Sequence, residues 1–128
     1  MNNPKFIEWV LRIAVFGTFF GHGIFALQQK AGWFKYFEAA GITNPDTIGT
    51  LLVLVGIIDV ALALLILVKP IRIALLWMAF WGLWTAMIRW PFGPDPVWDF
   101  VERWANWGAP LALLLLVGWP KNWREWFK

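Results

Sequence analysis

The sequence predicts an all-α integral membrane protein, a bundle of four helices that each cross the bilayer. Of its 128 residues, 60% are hydrophobic and only 15% are charged, whereas soluble domains average about a quarter charged residues. The apolar residues gather in four runs that approach the ~20 residues needed to cross a hydrocarbon core. A chain of this length has room for one core, so we expect residues 1–128 to form a single transmembrane domain.

The four predicted spans have recognisable ends. The Lys69-Pro70 pair turns the chain between the second and third spans. Asp95 is a predicted cap for the fourth span, and Pro96 suits its first helical turn. Between the first two spans, residues 28–46 are amphipathic, which predicts a short helix lying in the membrane interface. The predicted spans cover residues 6–27, 48–68, 71–90 and 96–119.

The basic residues lie at the ends of the apolar runs and do not form a stripe. The net charge of +3 therefore indicates membrane flanks, and no nucleic-acid partner is expected. By the positive-inside rule both termini are predicted to be cytoplasmic, in a membrane such as the bacterial inner membrane. The first apolar run contains Arg12 and lacks a small-x-small cleavage site, so it is predicted to be a span and not a signal peptide. The basic residues on the predicted cytoplasmic side are Lys5, Lys69, Arg72, Lys121, Arg124 and Lys128.

Cysteine and histidine usage limits the cofactors. The chain has no cysteine and one histidine, His22, which excludes disulfides, iron–sulfur clusters and cysteine-bound zinc. One histidine cannot supply both axial ligands of a bis-histidine haem, although a haem shared with a partner chain stays open. We expect no metal site and no intrinsic cofactor.

Polar residues inside the spans predict a binding pocket. Charged side chains at membrane depth usually face a bundle interior or a watery cavity. Helical spacing places one polar or small face on each span, and depth along antiparallel helices, at about 1.5 Å per residue, gathers most of these residues in the outer half. Glu8 and Arg12 lie nearer the inner side as an i, i+4 structural ion pair. The predicted ligand-binding residues are His22, Asp59, Arg89, Glu102, Arg103 and Asn106, with Trp104 and Trp107 as flat walls for a planar ligand.

Simpler explanations compete for several of these residues. Arg89 could extend to the lipid headgroups, and Asp99 with Arg103 has the spacing of an i, i+4 ion pair. A lone histidine such as His22 is more often a satisfied interior residue than a ligand. Asp59 has no partner in its own helix, so it must be neutral or paired across the bundle.

Three local patterns carry a family resemblance. Arg12 is followed by Phe20-Gly-His-Gly23, and residues 34–45, FKYFEAAGITNP, join an aromatic segment to a Gly-x-x-x-Pro turn. These features, with four spans, resemble the DoxX-like membrane proteins. The match is partial at Asp59, because the family typically has a glutamate followed by glycines there. The resemblance implies the four-helix fold. Family members are associated with quinone-linked sulfur oxidation and membrane redox complexes, and many have no assigned activity.

These observations lead to one main functional hypothesis and two alternatives. The first is a small DoxX-like membrane subunit whose intrahelical polar pocket binds a quinone in a quinone-linked or other membrane redox process. His22 or Arg103 would donate a hydrogen bond to a quinone carbonyl, and Asp59 or Glu102 would exchange the proton. Electrons would come from a partner protein, so no catalysis is expected from the chain alone. The alternatives are an accessory subunit that docks on a larger membrane complex or on its own copy, and a small-molecule or ion carrier.

Overall fold

The computed structural model describes residues 3–128, and this part of the chain is helical without any strand, as the all-α prediction requires. Two turns of 3-10 helix, at Ala31–Trp33 and Trp123–Phe127, accompany the α-helices. In chain order the α-helices are α1 (Pro4–Leu27), α2 (Phe34–Ala39), α3 (Pro45–Val68), α4 (Arg72–Met87), α5 (Val97–Val101) and α6 (Trp104–Val117).

The two longest helices start in the same way. In α1 and α3 an asparagine caps the N-terminus and a proline follows at the first helical position. The side chain of Asn3 accepts a hydrogen bond from the N–H of Lys5 at 3.1 Å, and Asn44 accepts one from Asp46 at 2.9 Å. These bonds satisfy N–H groups that have no partner inside a helix, and proline loses nothing at a position whose N–H is free. Both helices have 24 residues and are apolar and long enough to cross a membrane.

The helices in the third and fourth predicted spans are shorter than predicted. The third helix, α4, ends at Met87 and not at residue 90, because the backbone turns there and bonds back on itself ahead of Pro91. The predicted continuous helix over 96–119 is wrong: it is broken into α5 and α6, and Arg103, with non-helical backbone angles, caps α6. α6 ends at Val117 because Gly118 has a φ of +106°, a conformation that suits glycine.

The four longer helices pack in the order α3, α1, α6, α4, and α3 makes little contact with α4. Large apolar side chains fill one half of this bundle, between the middle of α1, the first half of α4 and the second halves of α3 and α6. This packing leaves the other half, between α3 and α4, incompletely filled. The buried core residues are Val15, Phe19, Ala63, Ile66, Ala74, Leu75, Met78, Leu113 and Leu114.

Two arginines tie helix ends together beside this core. Arg12 of α1, which is 5% exposed, donates from Nε to the carbonyl oxygen of Ile66 at 2.9 Å and from Nη2 to that of Leu67. The predicted ion pair is also present, with Nη1 of Arg12 3.2 Å from Glu8. Arg72 of α4 binds the C-terminal end of α6 in the same way. Each guanidinium satisfies carbonyl groups that a helix end leaves unpaired.

The outer surface of the bundle is strongly apolar on all four longer helices. Side chains as large as Ile13 on α1, Ile57 on α3, Phe80 on α4 and Leu115 on α6 are each more than half exposed. Continuous apolar surface of this kind is unfavourable in water and suits a lipid or protein environment. The outer faces of α4 and α6 are therefore as apolar as those of α1 and α3.

Candidate functional site

A cavity of about 380 Å³ lies in the incompletely filled half of the bundle, between α1, α3 and α4 and the start of α6. Ligand pockets for small molecules typically measure about 300 to 1,000 Å³. Most of the lining is apolar or aromatic, with polar groups at a few points. The polar lining residues are Thr18, His22, Tyr36, Asp59, Thr85, Arg89, Arg103 and Asn106.

The short helix α2 contributes one wall of the cavity. Trp33, Tyr36, Phe37 and Ala40 all line it, and their spacing of three and four residues places them on one face of the helix. The amphipathic segment expected to lie flat in the interface thus turns its apolar face toward the cavity. It covers the end of the cavity that is lined by Arg89 and Arg103.

Asp95, in the loop between α4 and α5, holds α2 in place through hydrogen bonds. Its carboxylate accepts hydrogen bonds from Lys35 Nζ at 2.9 Å and from Tyr36 Oη at 2.6 Å. Burial alone would raise the pKa of Asp95, but the bonds from Tyr36 and Lys35 outweigh it, so the pKa lies below its usual value. The hydrogen bond to Asp95 raises the pKa of Lys35, and burial followed by this bond raises the pKa of Tyr36. Lys35 stays charged and Tyr36 stays a donor.

We expect the attachment of α2 to fail in acid. Because the folded pKa of Asp95 is lowered, its contribution is complete above the ordinary aspartate pKa of about 4. That contribution is lost as the pH falls through the lowered value. The protection factors of the α2 amides, which are exchange rates corrected for their intrinsic pH dependence, should therefore fall at low pH, and Asp95→Ala should lower them already at neutral pH. Glu38→Ala, at an exposed position of the same helix, is the control, and equal exchange in the two variants at neutral pH would refute the attachment.

Asp59 lines the cavity from the middle of α3. The residue is 3% exposed, and its carboxylate makes no ion pair or hydrogen bond within residues 3–128. A second void of about 40 Å³, between α3 and α4, also has Asp59 in its wall together with Trp77 and Trp81. Close packing of α1 holds the residue in place, since a Cβ atom on Gly23 would lie 3.2 Å from the Cβ of Asp59. The sequence required Asp59 to be neutral or paired across the bundle, and no such pair forms among residues 3–128.

The two cavity arginines are held very differently from those at the helix ends. Arg89 is only 5% exposed, so extension to the headgroups is wrong. Its Nη1 donates to the Thr85 carbonyl at 2.5 Å, and its guanidinium lies over the ring of Tyr36 at 4.6 Å. Arg103 has a buried Nε without a hydrogen-bond partner in the described part of the chain. The alternative ion pair between Arg103 and Asp99 does not form there either.

His22 faces the same end of the cavity as the arginines. Its ring meets the edge of Trp33, with centroids 6.0 Å apart and planes at 76°. Neither ring nitrogen has a hydrogen-bond partner among the side chains and backbone groups of residues 3–128. Both ring nitrogens of His22 are therefore available to a ligand.

Five of the eight predicted ligand-binding residues line the cavity: His22, Asp59, Arg89, Arg103 and Asn106. Glu102, Trp104 and Trp107 do not. The break between α5 and α6 puts Glu102 on the exposed surface, because the chain before the break no longer continues the face that Asn106 shares. Trp104 is 47% exposed, and the buried Nε1 of Trp107 has no hydrogen-bond partner in the described part of the chain.

The aromatic walls come from residues that are not among the predicted ligand-binding residues. Trp33, Tyr36 and Phe37 of the α2 region and Trp81 and Trp84 of α4 line the cavity. The spacing of three and four residues between Trp33, Tyr36 and Phe37 could have predicted that they share one face of the α2 region. No local signal could have placed Trp81 and Trp84, because their role depends on the gap between α3 and α4.

The chemistry available to the cavity follows from these positions. Guanidinium and imidazole groups can donate hydrogen bonds at one end, and a carboxyl group from mid-helix can accept or release a proton. Aromatic and aliphatic walls between them suit a flat apolar body. No group of three or more metal-ligating side chains occurs within residues 3–128. Comparison of the chain with protein-family models, curated proteins and solved structures finds no match.

Proposed function

We propose that this chain is a membrane subunit that binds a small, largely apolar ring compound in its cavity, and that the compound is a quinone. A partner protein supplies or removes the electrons. The observation that carries the proposal is the cavity itself: about 380 Å³ of space, lined by His22 and by the buried Asp59, whose side chains have no hydrogen-bond or ion-pair partner within residues 3–128. Buried polar groups are nearly always satisfied in folded proteins, so groups left free around an apolar space indicate a ligand.

Each group in the cavity has a defined part in this proposal. Arg103 and His22 donate hydrogen bonds to one ring oxygen, which fixes the orientation of the ring. Asp59 accepts or delivers the proton that accompanies reduction or oxidation of the ring. Glu102, the other acid considered for this part, is exposed and does not line the cavity. Trp81, Trp84 and Phe37 pack against the ring faces and exclude water.

The proposal also includes the position of the chain in a membrane, which it would cross four times. Four apolar helical surfaces support four crossings of the bilayer, with the broken α5–α6 segment as the fourth. Cytoplasmic termini in a bacterial inner membrane, and membership of the DoxX-like family, rest on the sequence patterns described above. An apolar ligand dissolved in such a membrane would be concentrated next to the gap between α3 and α4.

Co-purification tests the proposed function. The wild type, extracted in mild detergent, is expected to retain quinone that mass spectrometry detects, and to bind an added short-chain quinone saturably. Asp59→Asn and His22→Ala should each reduce the retained quinone and weaken binding about tenfold, the equivalent of one lost buried hydrogen bond. Folding of each variant is checked by circular dichroism.

Glu102→Gln is the matched control. It removes a carboxylate from a neighbouring position that does not face the cavity, so quinone binding should stay within about twofold of the wild type. Retention of no quinone and absence of saturable binding would refute the proposal. Purification as part of a larger complex, unaffected by either cavity substitution, would instead support the accessory-subunit alternative.

A further inference from the structure

The arginines of this chain fall into two groups by how their nitrogen atoms are satisfied. Every guanidinium nitrogen of Arg12 and of Arg72 donates a hydrogen bond within the protein. In the cavity, Arg89 donates from Nη1 alone, and Arg103 donates from none of its nitrogens to a group within residues 3–128. The fold therefore supplies acceptors to the arginines that join helices and leaves the cavity arginines with free donors.

The cavity arginines also lack a counter-ion. Neither has a carboxylate within 4.0 Å among the residues that the structure describes, where the two ion pairs are Glu8–Arg12 and Lys35–Asp95. Asp95 and Asp99 are the acids whose charges act on Arg89, and Asp95 is already bound by Lys35 and Tyr36. A buried positive charge without a partner is costly, and a second one lining the same cavity adds repulsion.

Asp59 does not neutralise the pair. It lines the same cavity but forms no ion pair with either arginine, and it belongs to the middle of α3, whereas Arg89 and Arg103 flank the loop that carries α5. The cavity therefore has a positively charged end, an apolar middle and a separate carboxyl group. An anionic oxygen at the charged end would receive charge-assisted hydrogen bonds, which are about twice as strong as neutral ones.

We propose that Arg89 and Arg103 form a binding site for an oxyanion head group, so that the preferred ligand is an amphiphilic organic anion whose apolar body fills the cavity. Within the proposed function, on whose ligand-filled cavity this inference rests, the preferred quinone is an acidic one with an ionised ring hydroxyl. Arg103 donates to the oxyanion from its terminal nitrogens Nη1 and Nη2, which, unlike its Nε, are not buried, and Arg89, kept in place by Thr85 and Tyr36, adds its remaining donors and its charge.

Matched ligands test the head group separately from the body. Binding to the purified full-length protein in phosphatidylcholine nanodiscs is measured for two pairs. The first pair is a hydroxynaphthoquinone, ionised at neutral pH, and its neutral parent naphthoquinone. The second is a long-chain carboxylate and the alcohol of equal length. In both pairs the anion is expected to bind at least about tenfold more tightly.

Variants locate the effect. Arg103→Gln should lower the affinity for each anion about tenfold more than that for its neutral partner, which loses only an ordinary hydrogen bond, whereas Arg103→Lys should keep part of the preference. Lys121→Gln removes one positive charge from an exposed position in the C-terminal segment, and should change nothing. An equal loss of affinity for the anion and for its neutral partner in Arg103→Gln would overturn the oxyanion site, because an arginine with a merely structural role would affect the binding of both ligands equally.

The remaining outcomes separate this inference from the proposed function. Equal affinity for the neutral and the anionic quinone would overturn the oxyanion site and leave the quinone proposal standing. Preference for the carboxylate without binding of either quinone would support the oxyanion site and refute the quinone. Retention of phosphatidylglycerol by the wild type in native mass spectrometry, with its loss from Arg103→Gln, would assign the oxyanion to a lipid headgroup and overturn the free-anion form.

Discussion

Replacing Gly82 by alanine is expected to destabilise the bundle by about 2 to 3 kcal/mol, the range for inserting atoms where backbone leaves no space. Gly82 of α4 lies directly against α6: an added Cβ would meet the carbonyl oxygen of Asn106, 2.6 Å from its carbonyl carbon and 2.9 Å from the Trp107 nitrogen. Pro110 is the reason for this contact. Four residues after Asn106, it has no N–H to bond that carbonyl, and the free carbonyl faces the glycine.

Gly108→Ala is the matched control for Gly82→Ala, and its effect should have the opposite sign. Gly108 is inside α6 and a Cβ there would meet nothing within 4 Å, so alanine should stabilise the helix by about 0.5 to 1 kcal/mol. The free energy of unfolding in mixed micelles measures both changes. Equal stability of the two variants would contradict the close packing of α4 on α6.

Replacing Arg12 by glutamine is expected to cost about 3 kcal/mol, as for a buried ionic group removed from its partners. Arg12 binds the Ile66 and Leu67 carbonyls at the end of α3 and the Glu8 carboxylate one turn before it. The shorter glutamine cannot reach all three. The carbonyls, left in an apolar part of the bundle, would lose their partners.

Glu8→Gln separates the ion pair from the helix-end contacts. The side chain of Glu8 is 21% exposed and its loss leaves both carbonyl bonds intact, so the cost should be below about 1 kcal/mol. Lys5→Gln, at an exposed position one turn earlier, should have no effect. Equal costs for Glu8→Gln and Arg12→Gln in the same unfolding measurement would show that the ion pair carries the stabilisation.

The sequence predicts the helices that depend on local signals. The Lys69-Pro70 pair separates α3 from α4, as predicted. Asparagine followed by proline starts α1 and α3 at residues 4 and 45, ahead of the predicted starts at residues 6 and 48. Prediction from the sequence fails at the break between α5 and α6, because nothing in the residues around Arg103 forbids a continuous helix. The break belongs to a tertiary arrangement, in which α4 and α6 approach through Gly82 and the cavity begins where they diverge.

The candidate site was predictable where depth and helical face decide it. Asp59, His22 and Arg89 were predicted to lie on inward faces at membrane depth, and the structure places all three around the cavity. The predicted roles of Trp104 and Trp107 assumed that nearness along α6 meant nearness to the ligand. The walls instead come from Trp33, Tyr36 and Phe37, whose position depends on the bond between Asp95 and the α2 region, a contact across some 60 residues of chain.

Photolabelling with an azido-quinone tests most directly the claim that the cavity holds the ligand. The protein in nanodiscs is irradiated with the labelled quinone, digested and mapped by mass spectrometry, with excess unlabelled quinone as competitor. We expect adducts that the competitor abolishes on cavity residues such as Phe19, Trp81 and Ile88. Adducts confined to outward-facing residues such as Phe80 and Leu115, and unaffected by the competitor, would contradict the account.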